Sequence, residues 1–241
     1  MSLRNDYDDR KNDVKAYVTL IKRVDAQRLS QTSRRILRAN VFILLYNLIE
    51  STIANCGKEL DSEFVDITTG QISDLTEPIV NYWIKFTLSS YITTKGKRIS
   101  KQLRPENIKI LSEKFLIPDS PLELEFKFDG IGNLDYREIE KIFKRYGIET
   151  TLPKKLRQKV CRHRFDSKDI LQFIKDTRNA LAHGEKSFTE FGDYSPNDIK
   201  KYAVIVFQYL EFMIERIEDF VENKKYLKCG SNLSAVTQTC P

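Results

Sequence analysis

The sequence predicts an all-α protein, a bundle of about five main helices with little or no sheet. Three observations predict this class. Glycine and proline are sparse, at 9 and 7 of 241 residues, which disfavours an all-β sandwich with its many turns. Hydrophobic residues make up 41% of the chain, enough to form a buried core. The strongest apolar patterns repeat every three to four residues, as one face of a helix does.

The N-terminal half contains three helical signals. A weak apolar stripe over residues 14–29 indicates an amphipathic lead-in helix. A stronger stripe over residues 33–57 keeps the spacing of a buried helical face, and Gly57 is its expected end. The third helix is expected over residues 72–88, with Pro78 in its first turn, where the missing N–H of proline does no harm.

A basic connector follows the third helix. Residues 95–104 contain five basic residues and no acidic one, and a short helix is expected over residues 105–115. The fourth helix is expected to begin at Asp135 and to end at Gly147, because aspartate is a common N-cap and glycine a common helix stop.

Two further helices complete the predicted bundle. Residues 166–169 have the composition of a helix start, and Gly184 marks the expected end of the helix that follows. Ser195 then supplies an N-cap before Pro196, and the long last helix is expected to end near Leu227.

These elements predict one helical domain over residues 31–228, after a lead-in segment (1–30) and before a mobile, polar tail (229–241). No apolar run approaches the roughly 20 residues that cross a bilayer, and no secretory signal is visible. We therefore expect a cytoplasmic protein with no membrane partner. The four cysteines lie far apart without a CxxC pair, which disfavours a zinc site and a disulfide framework. No metal or cofactor is expected.

The candidate catalytic residues lie at the end of the helix that is expected to stop at Gly184. Asn179 and His183 are four residues apart and share a helical face, whereas Arg178 lies about 140° from His183 but has a long side chain that can reach back. Cleaving RNA through its own 2′-hydroxyl needs a group that titrates near neutrality and a fixed cation. Histidine and arginine supply both roles without a metal. A histidine ahead of a C-cap glycine also gains from the helix dipole with no catalytic role, and this alternative stays open.

Positive charge is concentrated just before this helix. Residues 141–168 contain ten basic and two acidic residues, a net charge of 10 − 2 = +8, against +6 for the whole chain. Such a concentration attracts phosphate backbones of any sequence, although a solvated connector is the alternative. The candidate RNA-binding residues are the six basic residues in its middle: Lys154, Lys155, Arg157, Lys159, Arg162 and Arg164.

The segment Arg178–Gly184, in which four residues separate an arginine from a histidine at a helix end, resembles the HEPN (higher eukaryotes and prokaryotes nucleotide-binding) superfamily. Two other segments, Phe42–Glu50 and Gly132–Arg137, are similar in kind and order to the same group. Together with Ser187 and Phe188, they look like the bacterial HEPN proteins of toxin–antitoxin, abortive-infection and restriction-linked loci.

This resemblance implies a metal-independent endoribonuclease, a toxin or phage-defence effector, that acts as a homodimer with a cleft shared by the two motif helices. It implies that His183 moves the proton, Arg178 stabilises the phosphoryl charge and Asn179 orients one of them. The implied partners are RNA, a second copy of the chain, and an antitoxin or defence-system protein. Glu185 stands where relatives regulated by a nucleotidyltransferase have a tyrosine, so adenylylation is not expected there.

Two other functions stay open. The first is a non-catalytic module that binds RNA or another protein, as many HEPN relatives do. The second, a small-molecule nucleotide-binding domain, has least support because the sequence contains no phosphate-binding glycine loop. Glu50 is expected on the polar face of its helix, and Tyr46 and Asn47 have no predicted role.

Overall fold

The structure, a computed structural model, confirms the all-α class. Among the described residues, seven α-helices and one 3₁₀ helix (Thr69–Asp74) have defined bounds, isolated β-bridges pair Thr68 with Pro121 and Leu75 with Leu227, and no strand is present. The helices are α1 (Leu3–Asp25), α2 (Gln31–Phe64), α3 (Glu77–Thr93), α4 (Tyr136–Arg145), α5 (Lys154–Val160), α6 (Ile170–Ala182) and α7 (Pro196–Glu222). The structure describes residues 2–25, 29–93, 108–109, 111–113, 116–117, 119–122, 133–161, 168–190 and 192–229.

The chain divides into two compact units, each built from segments of the start, the middle and the end of the sequence. Unit 1 comprises Met1–Cys56, Phe128–Glu140 and Thr150–Glu215. Unit 2 comprises Gly57–Lys127, Lys141–Glu149 and Arg216–Pro241. The domain limits at residues 30 and 228 stay predictions, and residues 230–241 of the predicted tail lie outside the described residues.

In unit 1, α1 is longer than the predicted lead-in helix and begins at Leu3. Its first ten residues are mostly charged, so their apolar stripe is hard to see in the sequence. The Tyr7 hydroxyl donates a hydrogen bond to the carbonyl of Phe207, and Lys11 forms an ion pair with Glu211. The buried residues of α1 follow helical spacing: Leu3, Tyr7, Val14, Val18, Ile21 and Val24.

The prediction that the second helix stops at Gly57 is wrong, because α2 continues to Phe64. Cys56, Leu60 and Phe64 are all buried. Burying a large apolar side chain contributes about 1.5–3 kcal/mol, more than the roughly 1 kcal/mol that a glycine costs inside a helix. By length and composition α2 would also pass as a membrane span, but half of its most apolar window is buried inside the protein, as in a core helix.

In unit 2, the predicted start of the third helix near residue 72 is wrong. The 3₁₀ helix occupies this part of the chain, and α3 begins only at Glu77. Pro78 lies in the first turn of α3, as predicted. The 3₁₀ helix begins after Thr68, whose backbone N–H donates to the side chain of Gln71.

The predicted starts of α4 and α7 are confirmed by side-chain caps. Asp135 accepts hydrogen bonds from the backbone N–H groups of Arg137 and Glu138, and Ser195 accepts one from that of Asp198. The predicted end of the last helix near Leu227 is wrong, since α7 ends at Glu222.

The positive φ of Lys224 (46°) accompanies the end of α7, and the amide of Lys225 donates a hydrogen bond to the carbonyl of Phe220.

Described residues at 108–109 and 111–113 are helical, within the predicted short helix, whereas the basic connector 95–104 lies outside the described residues. Cys56 and Cys161 are not disulfide-bonded, whereas Cys229 is.

Candidate active site

The motif helix α6 has well-defined ends. Asp169 caps its start by accepting a hydrogen bond from the amide of Gln172 at 2.8 Å. The helix ends at Ala182, and the next residue, His183, is its C-cap. Gly184 has a φ of +70°, in the left-handed region that glycine adopts without strain, so the predicted helix end is confirmed. The capping therefore places His183 at the end of the last turn.

The guanidinium of Arg178 is held by three side chains of unit 1. Its central carbon lies 4.5 Å from the centre of the Tyr46 ring, a cation–π contact. One terminal nitrogen donates to Oδ1 of Asn179 at 2.9 Å, and the other lies 3.8 Å from a carboxylate oxygen of Glu50. The Arg178 side chain is 24% exposed, so this cation is both fixed and accessible to solvent.

Tyr46 connects the site to the start of α4. Its ring is buried, and its hydroxyl oxygen accepts a hydrogen bond from the backbone N–H of Leu134 at 3.1 Å. Burial raises the pKa of Tyr46, so its hydroxyl is neutral near neutral pH. Sequence reasoning missed Tyr46 and interpreted Glu50 as helix surface. Their spacing of four on α2, which places both on one face, was the signal that could have identified them.

Two side chains on α6, also four residues apart, contact the segment before α4. The side-chain amide of Asn179 donates to Oδ1 of Asn133 at 3.2 Å, and Lys175 forms a 2.6 Å ion pair with Asp135. Burial alone would raise the pKa of Asp135, but hydrogen bonds from Lys175 and the backbone, with the charge of Lys175, lower it. These contacts fix the position of α6 against the start of α4.

The three segments that resemble HEPN proteins therefore meet in unit 1. Tyr46 and Glu50 come from α2, Asn133 from the start of α4, and Arg178 and Asn179 from α6. The structure brings together two of the three predicted catalytic residues and adds three side chains that the sequence did not assign.

His183 is separate from these contacts. It is exposed, and its backbone N–H bonds the carbonyl of Asn179 at 2.9 Å. Within the part of the chain that the structure describes, its imidazole has no hydrogen-bond or ion-pair partner. Within one chain, the described contacts hold the Arg178 guanidinium in place but do not orient the His183 imidazole.

Four of the six predicted RNA-binding residues are described, and all four are exposed on α5. They are Lys154, Lys155, Arg157 and Lys159. Arg162 and Arg164 lie outside the described residues. Among the described residues, no group of three or more His, Cys, Asp or Glu is arranged to hold a metal ion.

Comparison with known proteins identifies the family of the chain. No curated protein and no solved structure matches the chain significantly. A family model described as HEPN_MAE_28990-like HEPN matches residues 1–226, which include all seven helices and the three converging segments. The chain therefore belongs to the HEPN_MAE_28990-like HEPN family.

Proposed function

We propose that the protein is a metal-independent endoribonuclease of HEPN type, which cleaves RNA as a homodimer in the cytoplasm and serves as a toxin or phage-defence effector. The observation that supports this best is the fixed Arg178 cation, held by Tyr46, Glu50 and Asn179 five residues before the exposed His183. Its partners are RNA, a second copy of the chain, and an antitoxin or defence-system protein.

The proposed reaction needs one base, one acid and one cation. The RNA 2′-hydroxyl attacks the adjacent phosphorus and loses its proton to a neutral His183 imidazole. Arg178 stabilises the negative charge on the phosphoryl oxygens, and its fixed position avoids reorganisation during the reaction. The bond to the 5′-oxygen breaks, and that oxygen takes a proton from an imidazolium. The products are a 2′,3′-cyclic phosphate and a 5′-hydroxyl.

The need for both an acid and a base favours a dimer. The chain has two histidines, and His183 alone lies at the motif helix. Two copies facing each other across a twofold axis would supply two imidazoles and two guanidinium groups to one cleft. A second chain would also supply the surroundings that orient the exposed His183.

The direct test is RNA cleavage in excess chelator by purified protein. We expect fragments ending in a cyclic phosphate, and a loss of about 10²–10³-fold or more in Arg178→Ala and in His183→Ala. Matched controls are Arg23→Ala, at an exposed position of α1, and His163→Ala, at the other histidine. Equal cleavage by the wild type and the Arg178→Ala, His183→Ala double variant would refute the proposal.

The proposed biological role needs a separate test. Expression in bacteria should arrest growth and degrade RNA, and both effects should disappear in the Arg178→Ala and His183→Ala variants. Growth arrest that persists in both variants would contradict a toxic role for the nuclease.

A non-catalytic RNA-binding or protein-interaction module is the second candidate, and one observation favours it. The contacts of Arg178 with Tyr46 and Glu50 also serve packing within the chain, and His183 has no such contact among the described residues. This candidate predicts RNA binding without cleavage products, and partner binding that is unaffected by replacing Arg178 or His183.

A further inference from the structure

A groove of about 1030 Å³ lies on unit 1 between α5 and the first half of α7, with the start of α6 at its base. Lys155 and Lys159 line it from α5, and Lys200 and Lys201 line it from α7. The two pairs are about 40 residues apart in the sequence, so only the fold brings these four lysines to one groove.

The groove is positively charged. Its lining contains four lysines and one acidic residue, Asp198, a net charge of 4 − 1 = +3. Asp198 is engaged locally, since it accepts a hydrogen bond from the Ser195 hydroxyl at 2.7 Å and lies 3.4 Å from Lys201. Lys159 donates to Gln208 across the groove at 3.0 Å. The net charge of the groove stays positive when Asp198 is paired with Lys201, which favours an anionic ligand.

Few aliphatic side chains of the groove are exposed. Val204 is 40% exposed, whereas Ile205 is half-buried and Ile170 is buried. An amphipathic protein helix would need a continuous apolar stripe on which to dock. Lysines on both walls, with Val204 as the one exposed aliphatic side chain among the lining residues, fit a phosphate backbone better.

We propose that this groove binds the backbone of single-stranded RNA away from the cleavage site, with Lys200 and Lys201 as phosphate contacts. The proposal rests on the proposed function and extends it. Ile170 begins α6 and His183 follows its end, so the groove lies about 20 Å from His183 along the helix, at roughly 1.5 Å per residue. A strand that reaches both places must span several nucleotides, so the groove would select for longer substrates.

The first experiment measures binding of a labelled single-stranded RNA of about 12 nucleotides, within the range of known single-strand sites, by fluorescence anisotropy. All three proteins that are compared, namely the groove variant, its control and the protein with native lysines, carry His183→Ala to prevent cleavage. The groove variant is Lys200→Glu, Lys201→Glu, and its control is Lys15→Glu, Lys22→Glu, which makes the same charge change at exposed positions of α1. Lysine and glutamate have similar helix propensities, and thermal melts check that both variants fold.

We expect the groove variant to bind the RNA about tenfold more weakly. The slope of log affinity against log salt concentration should also be shallower by about 1.4, because each of the two lost phosphate contacts removes about 0.7 from the slope. The control should match the protein with native lysines. Equal losses of RNA affinity in both variants would indicate attraction by the overall positive charge of the protein and would overturn the proposed groove site. Unchanged binding in the groove variant would also overturn it, and the groove would then be tested with acidic peptides.

The second experiment measures cleavage with His183 intact. The groove variant should cut a dinucleotide at the wild-type rate and lose about tenfold in kcat/KM on the longer RNA. Equal losses on both substrates would contradict a remote contact. Binding that depends on Lys200 and Lys201 without any cleavage would refute the nuclease and leave the groove standing. Cleavage that does not depend on these lysines would refute the groove site and leave the proposed nuclease activity standing.

Discussion

At the scale of single residues, Tyr46 has two functions that can be separated. Its hydroxyl accepts the buried N–H of Leu134, and its ring lies against the Arg178 guanidinium. Tyr46→Phe should lower the free energy of unfolding by about 1–3 kcal/mol, since it leaves a buried donor unpaired. Cleavage should persist because the ring remains, whereas Tyr46→Leu should lose it. Urea unfolding and RNA cleavage of both variants test this, and equal loss of cleavage in both would contradict it.

Arg178 and His183 should differ in their effects on stability. His183 is exposed, so His183→Ala should change the free energy of unfolding by less than about 0.5 kcal/mol. Arg178→Ala removes a cation–π contact of roughly 0.5–2 kcal/mol. Chemical denaturation of the two variants measures these differences in the free energy of unfolding. A large destabilisation in His183→Ala would show that the imidazole has a structural partner.

At the scale of helices, the ion pair of Asp135 with Lys175 joins α4 to α6. Both side chains are 15% exposed, and asparagine preserves the helix cap. Asp135→Asn should therefore cost about 1–3 kcal/mol at neutral pH, mainly because Lys175 loses its closer acidic partner and keeps only Asp176, at 4.0 Å.

This cost should depend on pH. The folded-state pKa of Asp135 is lowered, so its contribution is complete above the ordinary pKa of 3.8 and is lost as pH falls through the lowered value. The difference in unfolding free energy between wild type and Asp135→Asn should shrink below pH 3.8. A difference that stays constant down to pH 2 would contradict the lowered pKa.

The two glycines that follow α4 and α6 provide a matched pair. Gly147 and Gly184 have φ angles of +76° and +70°. An alanine held in this left-handed conformation is strained by about 1–2 kcal/mol. A Cβ at Gly147 would also lie 2.9 Å from Cγ of Pro78, whereas nothing lies within 4 Å of one at Gly184. Gly147→Ala should therefore destabilise the protein by about 1–3 kcal/mol more than Gly184→Ala in denaturant unfolding. Equal losses of stability in the two variants would show that Pro78 can move aside at no cost in free energy.

The helix ends show what local sequence can predict. The starts at Asp135 and Ser195 and the end at Gly184 were predictable, because each depends on a cap within a few residues of the boundary. The continuation of α2 through Gly57 was not, since it depends on burial of Leu60 and Phe64.

At the scale of the whole molecule, the proposed dimer makes activity depend on both chains. If one cleft uses the His183 of both copies, diluting wild-type chains with His183→Ala chains should reduce the rate as the square of the wild-type fraction. An equal mixture of exchanged subunits should retain about a quarter of the activity, because acid and base must both be present. Retention of half, or a monomer at micromolar concentration by light scattering, would contradict a shared cleft.

The sequence by itself determined the all-α class, several helix caps and the motif helix with its candidate Arg178, Asn179 and His183. These features depend on hydrophobic periodicity and on capping, which are local. Only the tertiary structure decided that Tyr46, Glu50 and Asn133 contact Arg178 and Asn179, and that lysines of α5 and α7 line one groove. Those residues are tens of residues apart, and packing between distant helices, which no local pattern specifies, brings them together.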